Sequence, residues 1–354
     1  MKNKYPLPRI KDLIDQLKGS TVFTKLDIRW GYNNVCIWEG DEHKLAFVTP
    51  RGLFEPLVMM FGPCNAPSTF QKMMNEIFRD EIRSGHVVVF IDDIGVHHAD
   101  IAEQQQMVQQ VLAKLKAHSL CLKLEKCEFE RSSIKFLSMV IGNGTVDMDP
   151  KKVEAVTAWP VPTTKKQLQQ FLGLVNFYRR FVKGFASIAR PLHDLTGGTP
   201  WTWEAKHQEA FEWLKCALAE APVLAMPDED LPYRVETDAS DYAIGAVLSQ
   251  KGTDGHYHPV EFHSQTLEPS ERNYQIYDKE LLAIVDALSL WRQYLLGAKH
   301  IFEIWTDHLN LLFYRQPQNL TCRQACWITD LGEFNFTIHH LPGKSNGRAD
   351  ALSR

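Results

Sequence analysis

No apolar run in the chain approaches the ~20 residues that a membrane helix needs, so no transmembrane helix is supported. The opening residues, Met1-Lys2-Asn3-Lys4-Tyr5-Pro6-Leu7-Pro8, lack the apolar core of a secretory signal. The seven cysteines (Cys36, Cys64, Cys121, Cys127, Cys216, Cys322, Cys326) are odd in number and scattered. Cys322-x-x-x-Cys326 has no second Cys/His pair at zinc spacing, which leaves reduced thiols in an intracellular protein, with cytoplasm and nucleus both open. There is no internal repeat and no low-complexity tract. Nor is there an excess of positive charge: the net charge of −4 argues mildly against a nucleic-acid binder, although local basic stripes coexist with acidic metal sites in such proteins.

With 354 residues and 44% hydrophobic content, the chain has material for two or three globular cores. Its most informative feature is the run His86-Val87-Val88-Val89-Phe90-Ile91-Asp92-Asp93-Ile94-Gly95-Val96. Two adjacent acids between β-branched stretches read as a tight strand-turn-strand hairpin with the acids at its tip. A pair of like charges gains nothing from apolar strands, and a divalent metal would resolve the conflict. A plain solvated turn is the competing reading for these residues alone.

Strand candidates in the first stretch are residues 22–28, 44–48, 53–58, 87–91 and 94–98. Two amphipathic helices accompany them. One is marked by Phe70, Met73, Met74, Ile77, Phe78 and Ile82, the other by Met107, Val108, Val111, Leu112 and Leu115. An antiparallel sheet covered by helices on one face, α+β in class, is the natural architecture. The chain breaks around Asp149-Pro150 and Trp159-Pro160-Val161-Pro162 and turns helical, with a capping-box pattern at Thr164-x-x-Gln167 and a face of Phe171, Leu172, Val175 and Tyr178. After Met226-Pro227-Asp228-Glu229-Asp230 the order becomes three strands, a long helix, a strand, short helices, a strand and a helix. The long helix has the apolar face Tyr277, Leu281, Ile284, Val285, Leu288, Trp291 and Leu295. Domains are therefore expected at 1–150, 151–226 and 227–354.

Asp27 closes the first strand candidate as Asp92 and Asp93 close a later one. Were those strands neighbours, three carboxylates would meet at one sheet edge and could hold two Mg²⁺ ions about 4 Å apart.

Four segments occur in order: Tyr5-Pro6-Leu7-Pro8-Arg9-Ile10, Phe23-Thr24-Lys25-Leu26-Asp27-Ile28-Arg29-Trp30-Gly31-Tyr32, Phe61-Gly62-Pro63-Cys64-Asn65-Ala66-Pro67-Ser68-Thr69-Phe70-Gln71 and Phe90-Ile91-Asp92-Asp93. Together they resemble the reverse transcriptase of gypsy-class LTR retrotransposons, and the likeness covers essentially the whole chain. The resemblance implies a right-hand polymerase palm with partial fingers (1–150), a helical thumb and connection (151–226) and a ribonuclease H-like α/β domain (227–354). It implies Asp27, Asp92 and Asp93 as the metal-binding catalytic triad of the palm. Tyr32 would lie beneath the incoming sugar, where its ring selects deoxynucleotides, and Phe61, Arg179 and Arg180 would be further substrate contacts. Phe171 to Phe181 resembles the thumb helix, its arginines and aromatics tracking a phosphate backbone. Residues 136–141 occupy the place of the primer grip.

The last stretch carries a separate set of acids: Asp238 on a strand, Glu280 in the long helix, Asp307 at the end of the strand from Ile301, and Asp350 near the C-terminus. They resemble the ribonuclease H active site, where four carboxylates hold two Mg²⁺ ions and a water attacks the RNA phosphodiester. The implied cofactor is Mg²⁺ at both sites, with Mn²⁺ as a substitute. The implied partners are an RNA template, a DNA primer, an RNA–DNA hybrid and dNTPs, with no membrane and with a homodimer left open. The His339-His340 and His97-His98 pairs read as strand and hairpin ends.

Departures from the family pattern bear on activity. The upstream strand pair whose lysine and arginine clamp the triphosphate is not in this sequence, so weak or no primer extension is expected beside ribonuclease H activity, the alternative being a polymerase-dead fragment that retains ribonuclease H or only nucleic-acid binding. Gly95 stands where a bulky aliphatic is usual, a substitution expected to weaken the strand's packing. Ser138 stands where glycine is usual, and strains the backbone if φ there is positive. Pro63-Cys64 replaces Leu-Thr. No Asp-Ser/Thr-Gly protease motif and no integrase zinc pattern are present, although both enzymes normally share such a polyprotein; the chain reads as an N-terminally truncated fragment of one.

Overall fold

The computed structural model describes residues 3–198, 200–309, 311 and 320–340. The chain divides into two compact units, Met1–Thr145 and Val146–Arg354.

The first unit is built on a four-stranded antiparallel sheet in the order Val87–Phe90, Asp93–His98, Val22–Asp27, Glu128–Arg131. Period-2 alternation sends Val87, Val89, Ile94, Val96 and Leu26 to one face. There they meet Phe70, Met74 and Phe78 from one helical stretch and Val108, Val111 and Leu115 from another. The first helix runs Ala66–Ile77, opened by a proline in its first turn, and the chain restarts as a short helix at Arg79–Arg83. The single helix expected through Ile82 is thus broken at Phe78, whose buried ring belongs to the same core. The second helix, Ile101–Ala117, is capped by Asp100, whose carboxylate accepts from the Ala102 and Glu103 amides at 2.8 and 3.1 Å. The expected strands 44–48 and 53–58 reduce to a small hairpin, Phe47–Thr49 with Gly52–Phe54.

Two of the family departures acquire a physical meaning. The hairpin Ser133–Phe136 with Met139–Gly142 turns through Leu137 (φ 49°) and Ser138 (φ 66°), so the backbone does demand the left-handed region where serine has replaced glycine. Gly95, by contrast, leaves no hole. A Cβ there would lie 2.8 Å from Val88 Cγ2 and 3.6 Å from the Phe136 ring, so these side chains already fill the space a larger residue would take.

The second unit begins with helices Pro150–Thr157, Lys165–Phe177, Phe185–Thr196 and Ala205–Ala219. Only half of the expected capping box forms: Thr164 accepts from the Gln167 amide at 3.3 Å, while the Gln167 side chain turns to the Thr163 amide at 2.8 Å. A five-stranded sheet follows, ordered Tyr257–Thr266, Ala243–Lys251, Tyr233–Ala239, Phe302–Thr306, Phe336–His340. The first three strands are antiparallel and the last two add in parallel. The helix Ile276–Leu290 lays Leu281, Ile284 and Leu288 on this sheet, against Val235, Leu248, Val260 and Ile304, with Trp291 completing the core.

Candidate active sites

In the first unit, antiparallel pairing sets Asp27 directly opposite Asp93, and Asp92 occupies the two-residue turn before Asp93. That turn requires Ile91 at φ 54°, a conformation a β-branched residue adopts only under constraint. The constraint is Gln71, a fully buried side chain of the Ala66–Ile77 helix. Its Oε1 accepts from the Ile91 amide at 2.7 Å and its Nε2 donates to the Val89 carbonyl at 3.1 Å. The Asp92 carbonyl in turn accepts from the Ile28 amide at 3.0 Å, tying the turn to the Asp27 strand. Nothing in the sequence marks Gln71 for this positioning role, although it closes the segment from Phe61 to Gln71.

Burial pushes the Asp92 carboxyl up, against a hydrogen bond to its own backbone, and the charges of Asp93 and Asp27 push it the same way. Lys126 lies 3.2 Å from Asp27 and Lys25 lies 3.2 Å from Asp93, supplying local positive charge. Tyr32 packs edge-on against Phe61 and Phe70, with ring centroids 5.0 and 5.7 Å away. Burial and then the charge of Asp92 raise its hydroxyl pKa. Phe61 is 74% exposed, so the Tyr32–Phe61 pair borders the acids as an open aromatic ledge.

The second cluster is tighter. Asp238 and Glu280 are 4% and 2% exposed, and ligand oxygens of Asp238, Glu280 and Asp307 all lie within 4.8 Å of one another. This is the one such group of potential metal ligands among the described residues. The Glu280 carboxylate accepts from the Ala239 amide at 3.1 Å and from the Thr306 hydroxyl at 3.5 Å. Burial, followed by the charges of Asp238 and Asp307, nevertheless drives its pKa up to about 9. Three oxygen donors that cannot all ionise at neutral pH without a counter-charge are a donor set suited to a hard divalent cation. The residues before Glu280 are anchored too: Asp278 is held by Arg323 at 2.5 Å and Gln324 at 2.7 Å, and buried Lys279 by Asp241 at 3.0 Å. His340 ends its strand with Nε2 donating to the Asp307 carbonyl at 3.0 Å, while His339 stacks on Trp305. Asp350 and the loop Pro342-Gly343-Lys344 lie outside the described residues.

Arg179 and Arg180 need correction as surface phosphate contacts. The turn Arg179–Phe181 buries Arg180 and leaves Arg179 half-buried. Arg179 donates to the Ser264 carbonyl at 2.5 Å, and burial lowers its pKa against the favourable charges of Asp286 and Glu261. Arg180 is only 9% exposed. Basic and aromatic interleaving is common to nucleic-acid grooves and to packed helix ends, and here the packing role prevails.

Residues 1–141 match the family described as reverse transcriptase (RNA-dependent DNA polymerase), and residues 203–304 match the RNase H-like domain found in reverse transcriptase. The transposon Tf2-3 and Tf2-7 polyproteins of Schizosaccharomyces pombe are each 41% identical over 357 aligned positions, 99% of this chain. The chain spans only 27% of the length of those polyproteins. Among solved structures, the foamy viral protease-reverse transcriptase in complex with RNA/DNA hybrid aligns with a TM-score of 0.78 at 21% identity, over 98% of this chain and 48% of that one. The same viral protein in complex with dsDNA aligns with a TM-score of 0.80 at 20% identity, over 97% of this chain and 72% of that one. These structural likenesses establish the α+β fold. The chain thus carries a region matching the reverse transcriptase family followed by one matching the RNase H-like domain found in such enzymes, and it is similar over nearly its whole length to transposon polyproteins.

Proposed function

We propose that this chain is an RNA-directed DNA polymerase with ribonuclease H activity, its two acid clusters each serving Mg²⁺-dependent phosphoryl chemistry. The observation that carries the reading is the convergence of Asp238, Glu280 and Asp307 from three separate elements, with Glu280 holding its proton up to about pH 9. Such a cluster is costly for the fold and becomes favourable once a cation replaces the proton. Asp238, Glu280, Asp307 and, by family resemblance, Asp350 would hold Mg²⁺ there; Asp27, Asp92 and Asp93 would hold it in the palm. When bound, the ions supply charge stabilisation and an activated oxygen nucleophile.

The chain's own residues do the positioning. The Ala239 amide and Thr306 hydroxyl fix the Glu280 carboxylate, and the anchored Asp278 and Lys279 keep that turn of helix in place. In the palm, Gln71 holds the Asp92 turn in its strained conformation, and the Tyr32 ring, backed by Phe70, offers the surface against which a sugar would be judged. The substrates would be RNA template, DNA primer and dNTPs at the first site and the RNA strand of a hybrid at the second. The domain reading 1–150, 151–226 and 227–354 is part of the proposal.

Purified protein with Mg²⁺ should cleave the RNA strand of an RNA–DNA hybrid, and Asp238→Asn should abolish cleavage. Wild-type protein that leaves the hybrid intact across metals and salts would sink the ribonuclease claim. Primer extension on poly(rA)–oligo(dT), with Asp92→Asn/Asp93→Asn as the control, tests the palm. Extension unaffected by that double substitution would remove the palm triad from the mechanism.

A further inference from the structure

The helix Phe185–Thr196 and the turn after the Asp238 strand enclose a cavity of about 380 Å³ that takes no part in the acid cluster. Ser187 and Arg190 line it from the helix, and Ser240, Asp241 and Tyr242 from the turn. The Arg190 guanidinium lies 4.2 Å from the centroid of the Tyr242 ring, itself 53% exposed at the mouth. That ring contact is Arg190's only interaction among the described residues: no carboxylate is within ion-pair range and no acceptor takes its N–H groups. Ser187 Oγ is buried in the same wall and likewise has no hydrogen-bond partner among the described residues. The rim acid, Asp241, is engaged by Lys279 at 3.0 Å.

The buried Ser187 hydroxyl lacks an acceptor, and the Arg190 guanidinium, half-buried with its N–H groups bonded to no residue among those described, is available to an oxygen-rich ligand. Stacking on Tyr242 holds the planar guanidinium fork in one orientation, which lowers the ordering cost of a two-pronged contact to an anion. Tyr242 sits at the end of the strand pair that carries Asp238, the register running Asp238 opposite Gly245 and Ala239 opposite Ile244. Tyr242 follows Asp238 by four residues, a stretch of chain that spans at most about 14 Å, which sets the cavity rim beside the acid-bearing end of that strand.

We propose that Arg190, Ser187 and Tyr242 form a phosphodiester-binding subsite for the nucleic-acid strand engaged at Asp238. The inference rests on the ribonuclease reading, and Arg190 acts in it as a positioning residue: it binds a phosphate away from the scissile bond.

The test uses the full chain carrying Asp238→Asn, in which cleavage is expected to be lost while binding persists, and follows RNA–DNA hybrid binding by fluorescence anisotropy across a salt series. Adding Arg190→Gln should weaken binding about fivefold to tenfold near 0.1 M salt and flatten the log K against log salt slope by about 0.7 to 0.9, one phosphate contact. Arg190→Lys, which keeps the charge but not the fork, should restore the slope with only part of the affinity. In the cleaving background the loss should fall on KM rather than on kcat. Parallel salt lines for parent and Arg190→Gln overturn the subsite. Should Arg190→Gln lose its helical circular dichroism, Ser187→Ala with Tyr242→Leu decides, unchanged affinity overturning the proposal and weakened binding supporting it. A wild type that neither binds nor cleaves hybrid defeats the ribonuclease reading itself, whereas one that cleaves while Arg190→Gln binds like its parent defeats the subsite alone.

Discussion

Replacing Glu280 by glutamine should make the metal-free RNase H-like domain more stable at alkaline pH while removing its response to Mg²⁺. In the folded chain Glu280 keeps its proton until about pH 9, whereas an exposed glutamate ionises near 4.5. Between those values the unfolded chain binds fewer protons than the folded one, so stability is greatest below pH 4.5 and falls as pH rises. At 1.36 kcal/mol per unit, the loss accumulated by pH 8 is on the order of 4 to 5 kcal/mol. Glutamine keeps an oxygen for the Ala239 amide and carries no charge, so Glu280→Gln should lack this slope. Hydrogen exchange of the peptide spanning Ile276–Leu290, compared between wild type and variant at each pH in EDTA, reads the difference directly, since intrinsic exchange rates cancel. The variant's excess protection should grow from pH 5 to pH 8, and Mg²⁺ should close the gap by protecting the wild type alone. Equal protection of the two proteins at every pH, or equal stabilisation by Mg²⁺, would refute the reasoning.

Gln71→Leu removes both hydrogen bonds that hold the Ile91 turn and should cost about 2 to 3 kcal/mol in urea denaturation, with primer extension lost before the fold. A variant with wild-type extension would show that the turn holds without Gln71. Ser138→Gly relieves a positive φ and should raise the denaturation midpoint by an amount worth about 1 kcal/mol; an unchanged or lower midpoint would show that serine is unstrained there. His97, buried against Ser20 with His86 and His98 nearby, has a pKa lowered to about 4, chiefly by burial and then by those two rings. Its contribution is present above pH 6.5 and is lost as pH falls through 4, about 3 kcal/mol in all, so His97→Gln should flatten acid unfolding of the first unit. An unaltered acid transition would remove His97 as its cause.

Motif order and hydrophobic period were enough to anticipate the α+β class, the Asp-Asp hairpin, the second-unit helices and the long helix of the RNase H-like domain. They sufficed because those signals are local: alternation for strands, and the 3.6-residue repeat with its breaks for helices. Helix continuity through Phe78 was misread because a core ring satisfies the periodicity whether or not the backbone turns at it. Arg179 and Arg180 were misread for a related reason, since sequence spacing does not reveal that a turn folds their helix end onto the strand holding Ser264. Gln71 escaped notice because a polar residue inside a helix carries no sign of its destination until the turn above it is in place.

The sequence by itself determined which acids belong to which segment and what family they resemble, because residue identity and order survive without any fold. Only the tertiary structure decided what those acids experience. Strand register set Asp27 across from Asp93, and helix-on-sheet packing buried Glu280 between Asp238 and Asp307. Electrostatic coupling falls with distance and strengthens with desolvation, and both are properties of the folded chain.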